Sequence, residues 1–380
     1  MDTQRTPMRP IVFSALALAL GASTAYATDY PATITDVAGR SVTIAKKPER
    51  IILQDGRDML TVALLDRDNP YARVVGWSSN FVKSDPGTAK LMDQAFGKAP
   101  PVMSLSEDGE TDLEAVIAAK PDVVVAQMRA QKSFKESGIE DKLKALDIPV
   151  VYLDVMEEPV DHTMESVEVL GKVLDRETEA GEYVSFYKEH LAHLNEVIAK
   201  QETHPNVFVE AKAGNKGDGC CFTHGDTGFG KLVTSLKGNN IGSKLLPGQT
   251  GTVSLEALLG SNPPDVYIMS GSQWTNPENS AAPFGYNVTP EQVSAALGKL
   301  EQRDGFAAVK AVQDGRVYGL YHQFYNHPYN IVGLEYMATF MYPDAFKDLD
   351  PAATYATLIK TFTKIPDAPV VLGAAAPVTQ

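Results

Sequence analysis

Two separated stretches of this 380-residue chain carry the same short unit, and that repetition limits the fold more than any other feature. The first reads Asp112-Leu113-Glu114-Ala115-Val116-Ile117, then Pro121-Asp122-Val123-Val124-Val125. The second reads Ser254-Leu255-Glu256-Ala257-Leu258-Leu259, then Pro264-Asp265-Val266-Tyr267-Ile268. Asp112 and Ser254 are suited to cap a helix start, because their side-chain oxygens accept from amides of the first turn. Glu114 and Glu256 then stand where the helix dipole favours negative charge. The Pro-Asp pair closes each helix and opens an apolar run of strand length. A solvated capping acid accounts for either glutamate alone. A matched acid in both halves points to a shared task.

Around these units, apolar runs of strand length alternate with helical stretches. The candidate strands are Ile51 to Leu53, Val74-Val75, Val123 to Ala126, Val150 to Leu153, Val207 to Val209, Val266 to Met269 and Val317 to Leu320. The alternation predicts an α/β fold of two lobes, each with a mostly parallel central sheet flanked by helices. Ala32 to Ile44 reads as a small hairpin turning at Asp36 to Gly39. Between residues 160 and 200 the alternation stops. There Ala180, Val184, Tyr187, Leu191, Leu194 and Ile198 keep the three-then-four spacing of a helix stripe. The preferred reading is one long interdomain helix of about 60 Å, which Asp175-Arg176-Glu177 is placed to interrupt. Two ordinary helices packed on one lobe are the alternative. The expected division is therefore an N-terminal lobe over 28–159, a connecting helix over 160–200 and a C-terminal lobe over 201–380. An apolar share of 44% supplies a core for each lobe.

Residues 1–27 read as a cleavable export signal. Arg5 and Arg9 precede an apolar run from Ile11 to Gly21, and Ala25-Tyr26-Ala27 offers small residues for cleavage before Thr28. The run is shorter than the roughly 20 residues a membrane span needs. No cysteine follows it, so no lipid attachment is expected and the periplasm is the predicted compartment. A formal net charge of -14 argues against nucleic acid and against a polybasic membrane anchor. The only cysteines are the neighbours Cys220 and Cys221. In an oxidising compartment they either bridge each other or remain two buried thiols. A bridge between adjacent residues is strained and easily reduced.

No motif brings a nucleophile to a base. Gly225-Asp226-Thr227-Gly228-Phe229-Gly230-Lys231-Leu232 approaches a phosphate loop, but Leu232 stands where a magnesium-binding hydroxyl is required. Asp226 is expected instead to cap a helix running to Leu236. There is no His-Glu-x-x-His, no Gly-x-Ser-x-Gly and no Gly-x-Gly-x-x-Gly after a strand. The strand ends carry polar and aromatic residues, and open α/β sheets bind ligands beyond those ends. Arg57 and Arg129 suit an anionic ligand, as guanidinium offers a planar fork of donors. Trp77, Trp274 and Tyr325 suit stacking on a planar group. His322, Tyr325 and His327 are candidate metal ligands. A chelator that brings its own oxygens would instead leave the protein to read shape and charge. These residues predict binding without catalysis and without a cofactor of the protein's own.

The run Asp36-Val37-Ala38-Gly39-Arg40, the run Pro48-Glu49-Arg50-Ile51, the two Leu-Glu units with their Pro-Asp-Val turns, and Gly225 to Gly230 resemble the periplasmic binding proteins of ferric-siderophore, haem and cobalamin importers. The resemblance spans nearly all the chain after residue 27. It implies two lobes on one long helix, modest closure on the ligand, and a monomer that meets an ABC permease at the inner membrane. It implies that Glu114 and Glu256 match the lobe-tip glutamates that pair with permease arginines. The Tyr321 to Asn330 stretch resembles a branch of the family associated with iron complexes, so a ferric siderophore is the expected cargo. Haem or cobalamin is the alternative ligand. An exported chelate reductase using the cysteine pair is the alternative of another class.

Overall fold

The computed structural model describes residues 28–105, 111–215, 220–260, 263–276 and 282–377. The predicted export signal lies outside the described residues. Each expected strand forms where its apolar run stands. In the N-terminal lobe the sheet order is Val74–Trp77, Ile51–Leu53, Val123–Gln127, Val150–Leu153, all parallel. Such strands are covered on both faces, which is why they read as unbroken Val, Ile and Leu. In the C-terminal lobe, Val317–Tyr321, Val266–Gly271, Asn206–Glu210 and Asn239–Asn240 run parallel, and Gly373–Ala375 closes one edge antiparallel. The predicted hairpin is present, with Ala32–Thr35 paired to Ser41–Ile44.

The two repeated units occupy equivalent places. Leu113–Ala118 precedes the Val123 strand and Leu255–Leu259 precedes the Val266 strand. Asp112 accepts from the Ala115 amide at 3.0 Å and Ser254 from the Ala257 amide at 3.3 Å, so both predicted caps form. In parallel α/β units helices run against the strands, and their N-termini lie at the strands' carboxyl edge.

The stretch 160–200 is two helices, not one. Asp161–Leu174 ends where Asp175 takes the left-handed conformation, φ 57°, and Glu177–Ile198 starts afresh. Aspartate tolerates that conformation because its short side chain hydrogen-bonds locally. The first helix returns onto the second and packs on the N-terminal lobe. The second lies against Met59–Leu65 of the N-terminal lobe and Asn330–Met341 of the C-terminal lobe. The connector is thus this 22-residue helix alone, about 33 Å long. Its buried Tyr183 donates to the carbonyl of Pro328, and Tyr187 donates to Asn330 Oδ1 at 2.8 Å. Among the described residues no helix is long and apolar enough to cross a membrane.

Candidate functional site

The carboxyl ends of the two sheets face each other, and the N-lobe wall starts just past Leu53. Asp55 caps the short turn Gly56–Asp58 and accepts from Arg57 through its amide (3.0 Å), Nε (2.9 Å) and Nη2 (2.6 Å). Arg129, one turn beyond the Val123 strand, donates its own Nη2 to the same carboxylate. The two arginines singled out in the sequence are therefore brought together, around a carboxylate to which sequence reasoning assigns no role. Burial alone would raise the pKa of Asp55. The Arg57 and then the Arg129 guanidinium overcome that and hold it well below the usual carboxylate range. Asp58 behaves oppositely. Burial, and then the charge of Asp55, push it up to about 7.

Across the cleft, the C-lobe wall is aromatic. His322 follows the Val317 strand, with Nδ1 2.8 Å from Ser270 Oγ. Its ring lies 4.8 Å from Trp274 and 5.0 Å from Tyr325. Tyr325 also meets Phe229 at 4.8 Å and His224 at 4.9 Å. His224 Nδ1 accepts from the Phe229 amide at 3.3 Å. Gly228, at φ 48°, makes this meeting possible. A Cβ there would come within 2.6 Å of His224 Nδ1 and 2.9 Å of Tyr325 Cδ2. Both histidines are held neutral, chiefly by burial and then by the Lys212 charge. His322 is pushed well below its ordinary value and His224 down to about 4. The imidazoles thus add no charge of their own to a flat-faced wall suited to apolar and planar groups, and the Lys212 ammonium is the nearby cation.

The walls touch. With the Asn326 amide oriented by its hydrogen bonds, its oxygen accepts from Arg57 Nη1 at 2.8 Å. The Ser84 carbonyl accepts from Ser272 Oγ (2.9 Å) and Gln323 Nε2 (3.1 Å), and Lys231 pairs with Glu158 at 3.0 Å. Deeper in, Asn330 Nδ2 donates to the Pro159 carbonyl and to Thr163 Oγ1.

Two predicted ligand contacts lie elsewhere. Trp77 ends its strand fully buried in the N-lobe core, against Phe81 at 5.8 Å and Tyr71 at 6.0 Å. The strand runs two residues further than its apolar pair suggested, to Trp77 itself, and the indole lies in the core. His327 is buried on Tyr329 at 5.1 Å, its Nδ1 accepting from the Tyr329 amide at 3.1 Å. Glu114 and Glu256 are exposed in the first turns of their helices. Asp226 caps no helix. The helix Phe229–Ser235 starts without a side-chain cap, and Asp226 reaches Lys231 at 3.4 Å. Cys220 and Cys221 are bonded to each other. Cys221 lies beside the Tyr267 hydroxyl, which also donates to Glu210. Arg303 grips that same Glu210 with two contacts of 2.7 Å.

Sequence reasoning places Asp55 and Asn326 beyond strand ends without giving either a role, and it does not reach His224 or Asp58. The one available signal was the alternation Phe222-Thr223-His224, which puts Phe222 and His224 on one face of a short strand.

Comparison with known proteins places this architecture in company. Residues 76–323 match the profile of a family described as periplasmic binding protein. The chain is 27% identical over 330 residues to the uncharacterized ABC transporter substrate-binding lipoprotein YvrC of Bacillus subtilis, covering 84% of this chain and 88% of that protein. It is 23% identical over 243 residues to the Fe(3+) dicitrate-binding periplasmic protein FecB of Escherichia coli, covering 62% and 70%. The crystal structure of the TroA-like periplasmic binding protein FepB from Veillonella parvula superposes with a TM-score of 0.81 at 25% identity. That match covers 91% of this chain and all of that one.

Proposed function

Because the chain belongs to the periplasmic binding protein family, we propose that it captures a ferric siderophore in the cleft between its lobes and delivers it to an ABC importer permease. The observation that carries this reading is the pairing of unlike walls. An arginine-carboxylate cluster at Arg57, Asp55 and Arg129 faces neutral rings at Trp274, His322 and Tyr325. A ferric chelate has that same division, with anionic oxygens around the metal and an organic periphery. The wall of rings covers the periphery, and the polar wall meets the oxygens. Proteins similar to this chain include one named for Fe(3+) dicitrate, which supports an iron complex as cargo. The named relatives are solute-binding proteins, in keeping with binding without turnover.

Glu114 and Glu256 then dock the loaded receptor. Both are exposed, and both begin helices whose N-termini belong at the cleft edge of their sheets. Exposed ion pairs are worth about 0.2–1 kcal/mol each, enough to orient a transient dock and weak enough to release it. The protein acts in this reading as a monomer, exported and without a lipid.

The test is fluorescence titration of the purified protein with ferric siderophores, haem, cobalamin and oxyanions. Saturable quenching by ferric siderophores supports the assignment. A response only to haem, with a Soret band lost on replacing Tyr325, replaces the cargo with haem. Silence toward every probe sinks the proposal.

A further inference from the structure

The helices Leu113–Ala118 and Leu255–Leu259 match in more than sequence. From 112 to 118 and from 254 to 260, buried, half-buried and exposed positions follow in the same order. Val116 and Leu258 are buried in their lobes. Glu114 and Glu256 are exposed, and so are Ile117 and Leu259, each three residues on and therefore on the same helix face. The next residue, Ala118 or Gly260, is small and exposed, which leaves room for a partner to close on the apolar side chain. Large apolar side chains stand open at four places among the described residues, Val102, Ile117, Leu146 and Leu259. One such residue is ordinary on any surface. Two at equivalent sites of a repeat, each one turn from an exposed acid, mark a surface kept for a partner.

We propose that Ile117 and Leu259 are apolar anchors of the docking face, each seated in an apolar hollow of the permease beside the cation that meets Glu114 or Glu256. This rests on the reading of delivery given above, and it adds the contact that gives the dock its hold. Two exposed ion pairs multiply affinity by about thirtyfold at most, and salt screens them. Covering side chains that are 36% and 38% exposed adds about threefold to sixfold for each, and salt does not screen that part. Charge decides the occupant. The chain has a formal net charge of -14, and each anchor stands beside a carboxylate. A second copy of the chain, or an anionic lipid surface, would set like charge against like. A permease with basic residues beside its hollows complements both sites.

The experiment puts a benzophenone photoprobe in place of Ile117, or of Leu259, in the full mature chain. Each protein is irradiated on periplasm-facing inner-membrane vesicles of the producing bacterium, and adducts are identified by mass spectrometry. Adducts with an ABC permease are expected from both positions. Adducts with a second copy of this chain, or with lipid alone, overturn the proposal. A lysine-reactive cross-linker on wild type reports docking by any face. If it captures the permease and either photoprobe does not, the paired anchors fall and delivery stands. If nothing captures the permease, both fall. Affinity is then measured for the captured permease in nanodiscs. The double variant Ile117→Ser with Leu259→Ser should bind about tenfold or more weakly than wild type, with its melting temperature and chelate affinity kept. Leu146→Ser alters an equally open side chain on the turn before the Val150 strand, at the opposite edge of the sheet, and should bind like wild type. Raising salt to about 1 M should strip most binding from the double variant and leave a measurable part in wild type. Equal affinity of wild type and the double variant, or an equal loss in Leu146→Ser, overturns the anchors.

Discussion

His327 should make this protein acid-labile by a calculable amount. Its imidazole is 3% exposed, packed on Tyr329, and near enough to Arg57 to feel that positive charge. Burial first, and Arg57 second, bring its proton affinity down to about 3 from an ordinary value of 6.5. The unfolded chain then binds a proton below about pH 6.5 that the folded chain refuses, so folding stability falls as pH drops through that window. At pH 4.5 the unfolded imidazole is almost fully protonated and the folded one almost fully neutral. The linkage amounts to about 2.7 kcal/mol relative to pH 7.5, at 1.36 kcal/mol per unit. Asp58 works in the opposite sense, because its raised proton affinity stabilises the fold as pH falls, and so the wild-type profile is a sum. His327→Asn isolates the term. Asparagine can accept from the Tyr329 amide two residues on, as the imidazole does at 3.1 Å, and it carries no titratable proton. Urea denaturation of both proteins at the two pH values gives the double difference. The variant should lose about 2.7 kcal/mol less than wild type on acidification, whatever its offset at neutral pH. A difference under about 0.5 kcal/mol would refute the assignment of a buried neutral imidazole.

Three further outcomes are expected. Arg303→Leu strands the buried Glu210 carboxylate and should cost about 3–5 kcal/mol in urea. Adding Glu210→Gln, which can still accept from Tyr267, should recover most of that loss, and strict additivity would contradict the pairing argument. Gly228→Ala forces its Cβ into His224 and Tyr325 and should destabilise the protein by about 1–3 kcal/mol while weakening chelate binding. An unchanged dissociation constant would show that Tyr325 does not touch the ligand. Trp77 is fully buried and Trp274 is partly open, so Trp274→Phe should abolish ligand-dependent quenching and leave most of the acrylamide-resistant emission. Quenching that persists in the variant would move the ligand away from the C-lobe wall.

The strands were legible because sheets covered on both faces tolerate little but Val, Ile, Leu and aromatic residues, and Gly and Pro punctuate the gaps. The repeated helix-turn-strand unit located both lobes for the same reason. The connector was half legible. The stripe from Ala180 to Ile198 is the helix seen, but the break at Asp175 depends on one residue's left-handed backbone, and helical periodicity is blind to that. Trp77 was misplaced because a strand's last residue and the first residue beyond it look alike in sequence, while one points into a core and the other into a cleft. The part Asp55 plays was hidden for a different reason. Its role depends on Arg129, which is distant in the chain and arrives from another strand, and only the register of Ile51 with Val123 brings the two together.

Asn330 sits where the helix spanning both lobes, the base of the aromatic wall and the carbonyl of Pro159 converge. In the proposed capture of a ligand between the lobes, a pivot at that point would make the molecule behave like a pair of tongs. Under the proposed function, a turn of the lobes about Asn330 would shift nearby atoms least and would change the spacing of Glu114 and Glu256, which stand exposed at the starts of their helices. A rotation too small to register around the cargo would still alter the spacing between the two acids, and a partner that measures that gap could tell a filled carrier from an empty one without touching the freight.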